Sequence, residues 1–147
     1  MTPELRQRPE WQIDRLLDSL IGKPVRVAAD TFSPEPWNGQ EPKWWVATRQ
    51  LILPDNSRPA GLPVYFEGRL QQFTRQIGVV YVVLDAPGLP EPSAEGIIFY
   101  RGSSVVVLRG PATVKLAYPF QVEKLPEDAA NYWKDLQVPR VQFEFPF

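Results

Sequence analysis

Between residues 9 and 22 the apolar side chains keep a helical beat. Ile13, Leu16, Leu17, Leu20 and Ile21 recur at three- and four-residue spacing and share one face, while Asp14, Arg15 and Asp18 fall on the other. Pro9 suits a first turn and Gly22 a stop, so the pattern predicts a helix capping a core. After Pro24 the period drops to two. Val25, Val27 and Ala29 alternate with Arg26 and Ala28, which predicts a strand. Lys43 to Leu53 and Val64 to Phe73 read as two more strands, separated by proline-rich loops. Gly78 to Leu84 carries an unbroken apolar run, the mark of a strand covered on both faces. Ile97–Tyr100 and Val105–Leu108 are short strands around Arg101-Gly102-Ser103-Ser104, and Thr113–Tyr118 is a further strand. Pro126 to Leu136 reads as a short helix, and Val138 to Phe147 alternates apolar and polar positions.

The expected order is helix, five or six short strands, then helix. Short strands with turn signals between them predict a mostly β fold closed as a small barrel. An open sheet would leave edges that these strands, with few charges, do little to protect.

Composition narrows the chemistry. The chain has 147 residues, 16 basic and 17 acidic, for a net charge of −1. That balance argues against a polybasic nucleic-acid arm. With no cysteine and no histidine, disulfides, Cys/His zinc sites and nucleophiles activated by histidine are excluded. Asp30, Glu35, Glu41, Asp55, Glu67 and Asp85 are scattered, with no spacing that predicts a general acid and base. The expectation is a protein that is not an enzyme and uses no cofactor and no metal. No segment reaches the roughly 18 apolar residues of a membrane span, and Met1-Thr2-Pro3-Glu4-Leu5-Arg6 lacks a signal peptide's apolar core. A cytoplasmic protein without a membrane partner is expected.

Three segments match one pattern in order. The first is Leu20-Ile21-Gly22-Lys23-Pro24-Val25-Arg26-Val27 behind a helix. The second is Phe66-Glu67-Gly68-Arg69-Leu70-Gln71-Gln72-Phe73, continuing through Gly78-Val79-Val80 to Asp85. The third is Ile97-Ile98-Phe99-Tyr100-Arg101-Gly102-Ser103-Ser104-Val105-Val106. Together they resemble the Sm/Lsm family of RNA-binding ring proteins. The resemblance implies a strongly bent, five-stranded Sm-like (SH3-like) barrel over residues 9–110 with an N-terminal helix, an inserted hairpin at 33–63 and a C-terminal strand and helix extension at 111–147. It implies a hexameric or heptameric ring, with the Val79–Leu84 and Val105–Leu108 strands pairing between subunits. It further implies single-stranded RNA at the pore, on Gln76, Gly78, Arg101, Gly102 and Ser103. Glycine in mid-strand at position 68 permits a bend, and the Arg-Gly turn projects a guanidinium that can hold phosphate or stack on a base.

The chain departs from the family at several of these positions. Thr74 stands where an Asp is usual, Gly78 where an Asn reads uridine, and Ser103 where Asn or Asp is common. Uridine specificity is therefore expected to be weakened. The insertion interleaves Trp37, Trp44 and Trp45 with Lys43, Arg49 and Arg58. The preferred reading is that these tryptophans pack the insertion onto the barrel. The other is that Trp44 and Trp45, with Arg75, make secondary nucleic-acid contacts. Two rivals stand beside RNA binding. One is a ring or docking scaffold with a decayed pocket, contacting a protein partner through the insertion or the tail. The other is a barrel gripping single-stranded DNA.

Overall fold

The computed structural model describes residues 10–40, 42–47, 52–54, 64–86, 98–101, 105–108, 110–117, 121–128 and 133, with backbone alone at 10, 11, 52–54 and 98–101. The sequence folds into one helix, α1 (Glu10–Leu20), and ten strands. These are β1 (Pro24–Ala29), β2 (Thr31–Ser33), β3 (Trp45–Ala47), β4 (Ile52–Pro54), β5 (Val64–Gln76), β6 (Val79–Asp85), β7 (Ile98–Arg101), β8 (Val105–Leu108), β9 (Ala112–Ala117) and β10 (Val122–Lys124). The protein is mostly β, as its patterning predicts.

Neighbouring strands run β10-β1-β5-β6-β9-β2-β3-β4, with β8 beside β5 and β7 beside β8. Every pairing is antiparallel except that of β5 with β8. Only Asp30 separates β1 from β2, yet three strands lie between them in the sheet. In a flat sheet those positions would stand roughly 19 Å apart, four strand spacings. Ala29 and Thr31 can be no more than about 7 Å apart. The path from β1 to β2 therefore curls strongly.

The alternation drives that curl. Val25, Val27, Phe66, Leu70, Val82 and Val114 point to a common interior, closed on one side by Ile13, Leu17 and Leu20 of α1. Gly68 lies among the inward positions of β5. A Cβ there would meet Leu84 Cβ at 3.1 Å and the Asp85 amide nitrogen at 3.2 Å, so the missing side chain lets the end of β6 cross close over β5. The β5–β6 register then shifts between Leu70 and Gln72, a bulge that adds to the bend.

The apolar run at 79–84 is covered on both faces, as expected. Val80, Val82 and Leu84 enter the core, while Tyr81 and Val83 on the opposite face are buried as well. The insertion supplies part of that cover. Thr113 Oγ1 donates to the Glu35 carbonyl at 2.6 Å, and Trp37 stacks on Tyr81 with ring centroids 4.4 Å apart. Trp44 stacks on the same tyrosine at 5.7 Å.

Several expectations need correction. The inserted hairpin is present as β3 and β4, with Val46 opposite Leu53, but both of its strands begin within Lys43 to Leu53, which reads as a single strand. Ten strands are found among the described residues rather than five or six: β7 and β8 stand where they are expected, while β2, the division of Lys43–Leu53 into β3 and β4, and the short β10 are additional. The strands expected to pair between subunits are interior. β6 is flanked by β5 and β9, and β8 by β5 and β7, so their backbone edges are already used. Of the helix expected at 126–136, Trp133 alone is described in helical conformation. The tail at 138–147 lies outside the described residues.

Arg75 joins β5 to the helix, its Nε donating to Asp14 Oδ1 at 2.8 Å and its Nη2 to Oδ2 at 3.0 Å. This hydrogen bonding, helped by the arginine's charge, holds the Asp14 carboxyl below its ordinary value against the opposing effect of burial. A carboxylate whose folded value is depressed adds stability above its unfolded value of 3.8 and loses it as pH falls through the folded value. Asp14→Asn is thus expected to lower stability at pH 7 by at most about 1 kcal/mol, because both groups are partly solvated. The gap between the two proteins in urea denaturation should close below pH 3.8. A gap unchanged at pH 2 would contradict the assignment.

Candidate nucleic-acid interface

On β5 the residues facing away from the core are Tyr65, Glu67 and Arg69, alternating with inward Val64, Phe66, Gly68 and Leu70. Their register fixes the neighbours. Arg26 of β1 lies opposite Glu67, and Ala28 opposite Tyr65. On the other side Tyr65 lies opposite Val105 of β8, and Val105 opposite Arg101 of β7.

Arg26 sends both Nε and Nη2 to Glu67 Oε2, at 2.8 and 2.6 Å. Glu67 is 1% exposed, so its charge needs this partner. Its other oxygen, Oε1, accepts from the Trp133 indole at 3.1 Å, and Trp133 is itself buried. The anchored guanidinium stands 5.8 Å from the centroid of the Tyr65 ring. Tyr65 is 44% exposed, the one exposed aromatic ring among the described residues. The surface thus offers a π-face and a planar cation held in place from below.

Of the expected RNA-pocket residues that are described, Arg101 lies apart from Gln76 and Gly78 along β5. Arg101 closes β7 and is tied by register to the Tyr65 end of β5. Gln76 and Gly78 lie at the opposite end of that strand, eleven residues beyond Tyr65 in the case of Gln76. There Gln76 pairs with Val79 across a two-residue turn, and Gly78 takes a φ of +75°, which a side chain would resist. Ile77 at the tip is fully exposed. Gly102 and Ser103 lie outside the described residues. Arg75 is engaged with Asp14. Trp45 is packed in the core, and Trp44 lies between Tyr81 and the Lys115 ammonium, which is 5.6 Å from its ring. The preferred reading of the insertion's tryptophans, as packing, agrees with these contacts.

Arg26 and Tyr65 were not singled out by the sequence reading, although the signal was there. Arg26, Tyr65 and Glu67 all occupy the outward phase of their strands. What joins them is a pairing between positions some forty residues apart in the chain. Among the described residues no three His, Cys, Asp or Glu side chains gather as a metal site, and no helix is long and apolar enough to cross a membrane.

Compared with models of known families, with curated proteins and with solved structures, the chain matches none.

Proposed function

We propose that the chain is a non-catalytic binding module on a small bent SH3-like barrel, and that it takes single-stranded RNA on the outer face of β1 and β5. The strand path supports the barrel. With β1 and β2 taken as one bent strand, the neighbours β10-β1-β5-β6-β9 run fifth, first, second, third, fourth, and β2 returns to β9 on the far side. The observation that carries the RNA reading is the exposed Tyr65 ring beneath an Arg26 guanidinium pinned by Glu67. Unpaired bases stack on tyrosine rings and on arginine planes alike. Such stacking is worth about 1–3 kcal/mol per base and tolerates any sequence. That tolerance suits a chain with Gly78 where the family reads uridine.

The net charge of −1 means that few phosphates are neutralised. Affinity should then fall only gently with salt, with a slope of roughly −0.7 to −1.4 for one or two phosphate contacts. In anisotropy titrations of labelled oligo(U) and oligo(A) at low salt, Tyr65→Ala is expected to weaken binding about tenfold. Arg101→Ala should make the salt slope shallower by about 0.7. No binding of either oligonucleotide by the folded protein would sink this reading. It would leave the docking scaffold, which is favoured by Ile77, an apolar side chain wholly in water at the tip of the longest strand.

A further inference from the structure

We infer that Trp133 is a positioning residue for the Tyr65–Arg26 surface, acting through the carboxylate of Glu67. The inference rests on the RNA reading for its functional part and on geometry for the rest. A carboxylate has two oxygens, and here they serve different parts of the chain. Oε2 takes both Arg26 donors from β1. Oε1 takes the indole N–H of Trp133, nine residues beyond the end of β10. The carboxylate plane is therefore set from both ends. Rotation about the last side-chain bond of Glu67 would move the oxygen that anchors Arg26.

The surroundings make the indole bond consequential. Glu67 and Trp133 are each 1% exposed, so water does not readily replace a lost donor. Arg26 is different, with 31% of its side chain exposed. When its anchor turns, its guanidinium has solvent to move into. The ordering of Arg26 over Tyr65 is thus the part that yields first, and the core beneath is the part that holds. The described chain ahead of Trp133 also lies against β1. The Leu125 amide donates to the Pro24 carbonyl at 2.8 Å, and β10 pairs with β1 from Val25 to Val27. Seating of the Trp133 side chain and geometry of the surface arginine are in this way one event.

The decisive variant is Trp133→Phe, which keeps an aromatic ring and removes the N–H. The first readout needs no RNA. In the wild type the Arg26 Nε–H, bonded to a carboxylate, should give a dispersed and slowly exchanging NMR signal, assigned by its loss in Arg26→Ala. In Trp133→Phe that signal should move toward the random-coil position and exchange faster. The second readout is affinity for oligo(U), expected to fall about fivefold, on the scale of one ordinary hydrogen bond. That fall should vanish when Trp133→Phe is made in the Arg26→Ala background. An unchanged Arg26 signal in folded Trp133→Phe overturns the inference whatever RNA does. A shifted Arg26 signal in a protein that binds no RNA upholds the positioning role and overturns the RNA reading instead. If Trp133→Phe does not fold, 3-benzothienylalanine incorporated at position 133 carries the test. It keeps the bicyclic ring and lacks the N–H that Glu67 Oε1 accepts. The expected result is the same shift and faster exchange of the Arg26 signal, and an unchanged signal would overturn the inference.

Discussion

Trp133→Ala lowers the free energy of unfolding by about 4 kcal/mol, measured by urea denaturation, and brings the melting temperature down by roughly 8–16 °C. The size follows from two losses that cannot be recovered separately. A ring that is 1% exposed leaves a void that its neighbours fill only in part. The buried Glu67 carboxylate also loses the indole hydrogen bond at Oε1, and a hydrogen bond to a charged group is worth about 1.5–3 kcal/mol. Trp133→Phe should lose distinctly less, because it keeps most of the apolar volume. A fall below about 1 kcal/mol in the alanine variant would mean that the Trp133 side chain does not contribute to the folded core.

Gly68→Val is the second large effect, expected at about 3 kcal/mol. The glycine's backbone is ordinary, with no positive φ, so the cost comes from space and not from strain. The nearest atoms are Leu84 Cβ and the backbone of Asp85, and neither is the free end of a flexible side chain. Leu84 is paired on both sides, with Leu70 of β5 and Ala112 of β9, so a shift there disturbs two ladders. Gly68→Ala needs the same neighbours to give by a few tenths of an ångström and should cost about 1 kcal/mol. A valine variant as stable as wild type would show that β6 can slide away, and that the close crossing does not set the bend.

The sequence was legible wherever a single local period sufficed. α1 rests on Ile13, Leu17 and Leu20, which are buried as their spacing requires. β6 could be read as doubly covered from its unbroken apolar run alone. An inserted hairpin was legible, but the place where β3 turns into β4 was not. Trp44-Trp45-Val46 and Leu51-Ile52-Leu53 are both apolar, and Thr48-Arg49-Gln50 between them has no glycine, asparagine or proline to announce a reversal. β10 escaped for a different reason. Val122-Glu123-Lys124 is too short to show a period and is a strand only because β1 lies beside it. The same limit hid the surface site. Arg26 and Glu67 look like two solvated charges until register sets them opposite each other, and the arginine then becomes a fixed group over Tyr65. The Arg-Gly turn, by contrast, was read from its residues with no knowledge of where the hairpin leads. Register sends Arg101 to the far end of β5 from Gln76.

The pairing of β1 with β10 also sets an order of events at the ribosome. Val25 pairs with Lys124, a partner about a hundred residues downstream. At about 5–20 residues per second, β1 emerges some 5–20 seconds before the strand that will flank it on that side. β5 reaches it sooner and covers the other edge. Through that interval the outer edge of β1 has no native partner, and its backbone is open to strands of other chains. Contacts this distant in sequence also slow refolding, since their loop entropy must be met before they stabilise anything. The alternating Arg26 sits on that waiting edge strand, and a charge there disfavours pairing with the wrong partner until Glu67 and then Trp133 arrive to claim it.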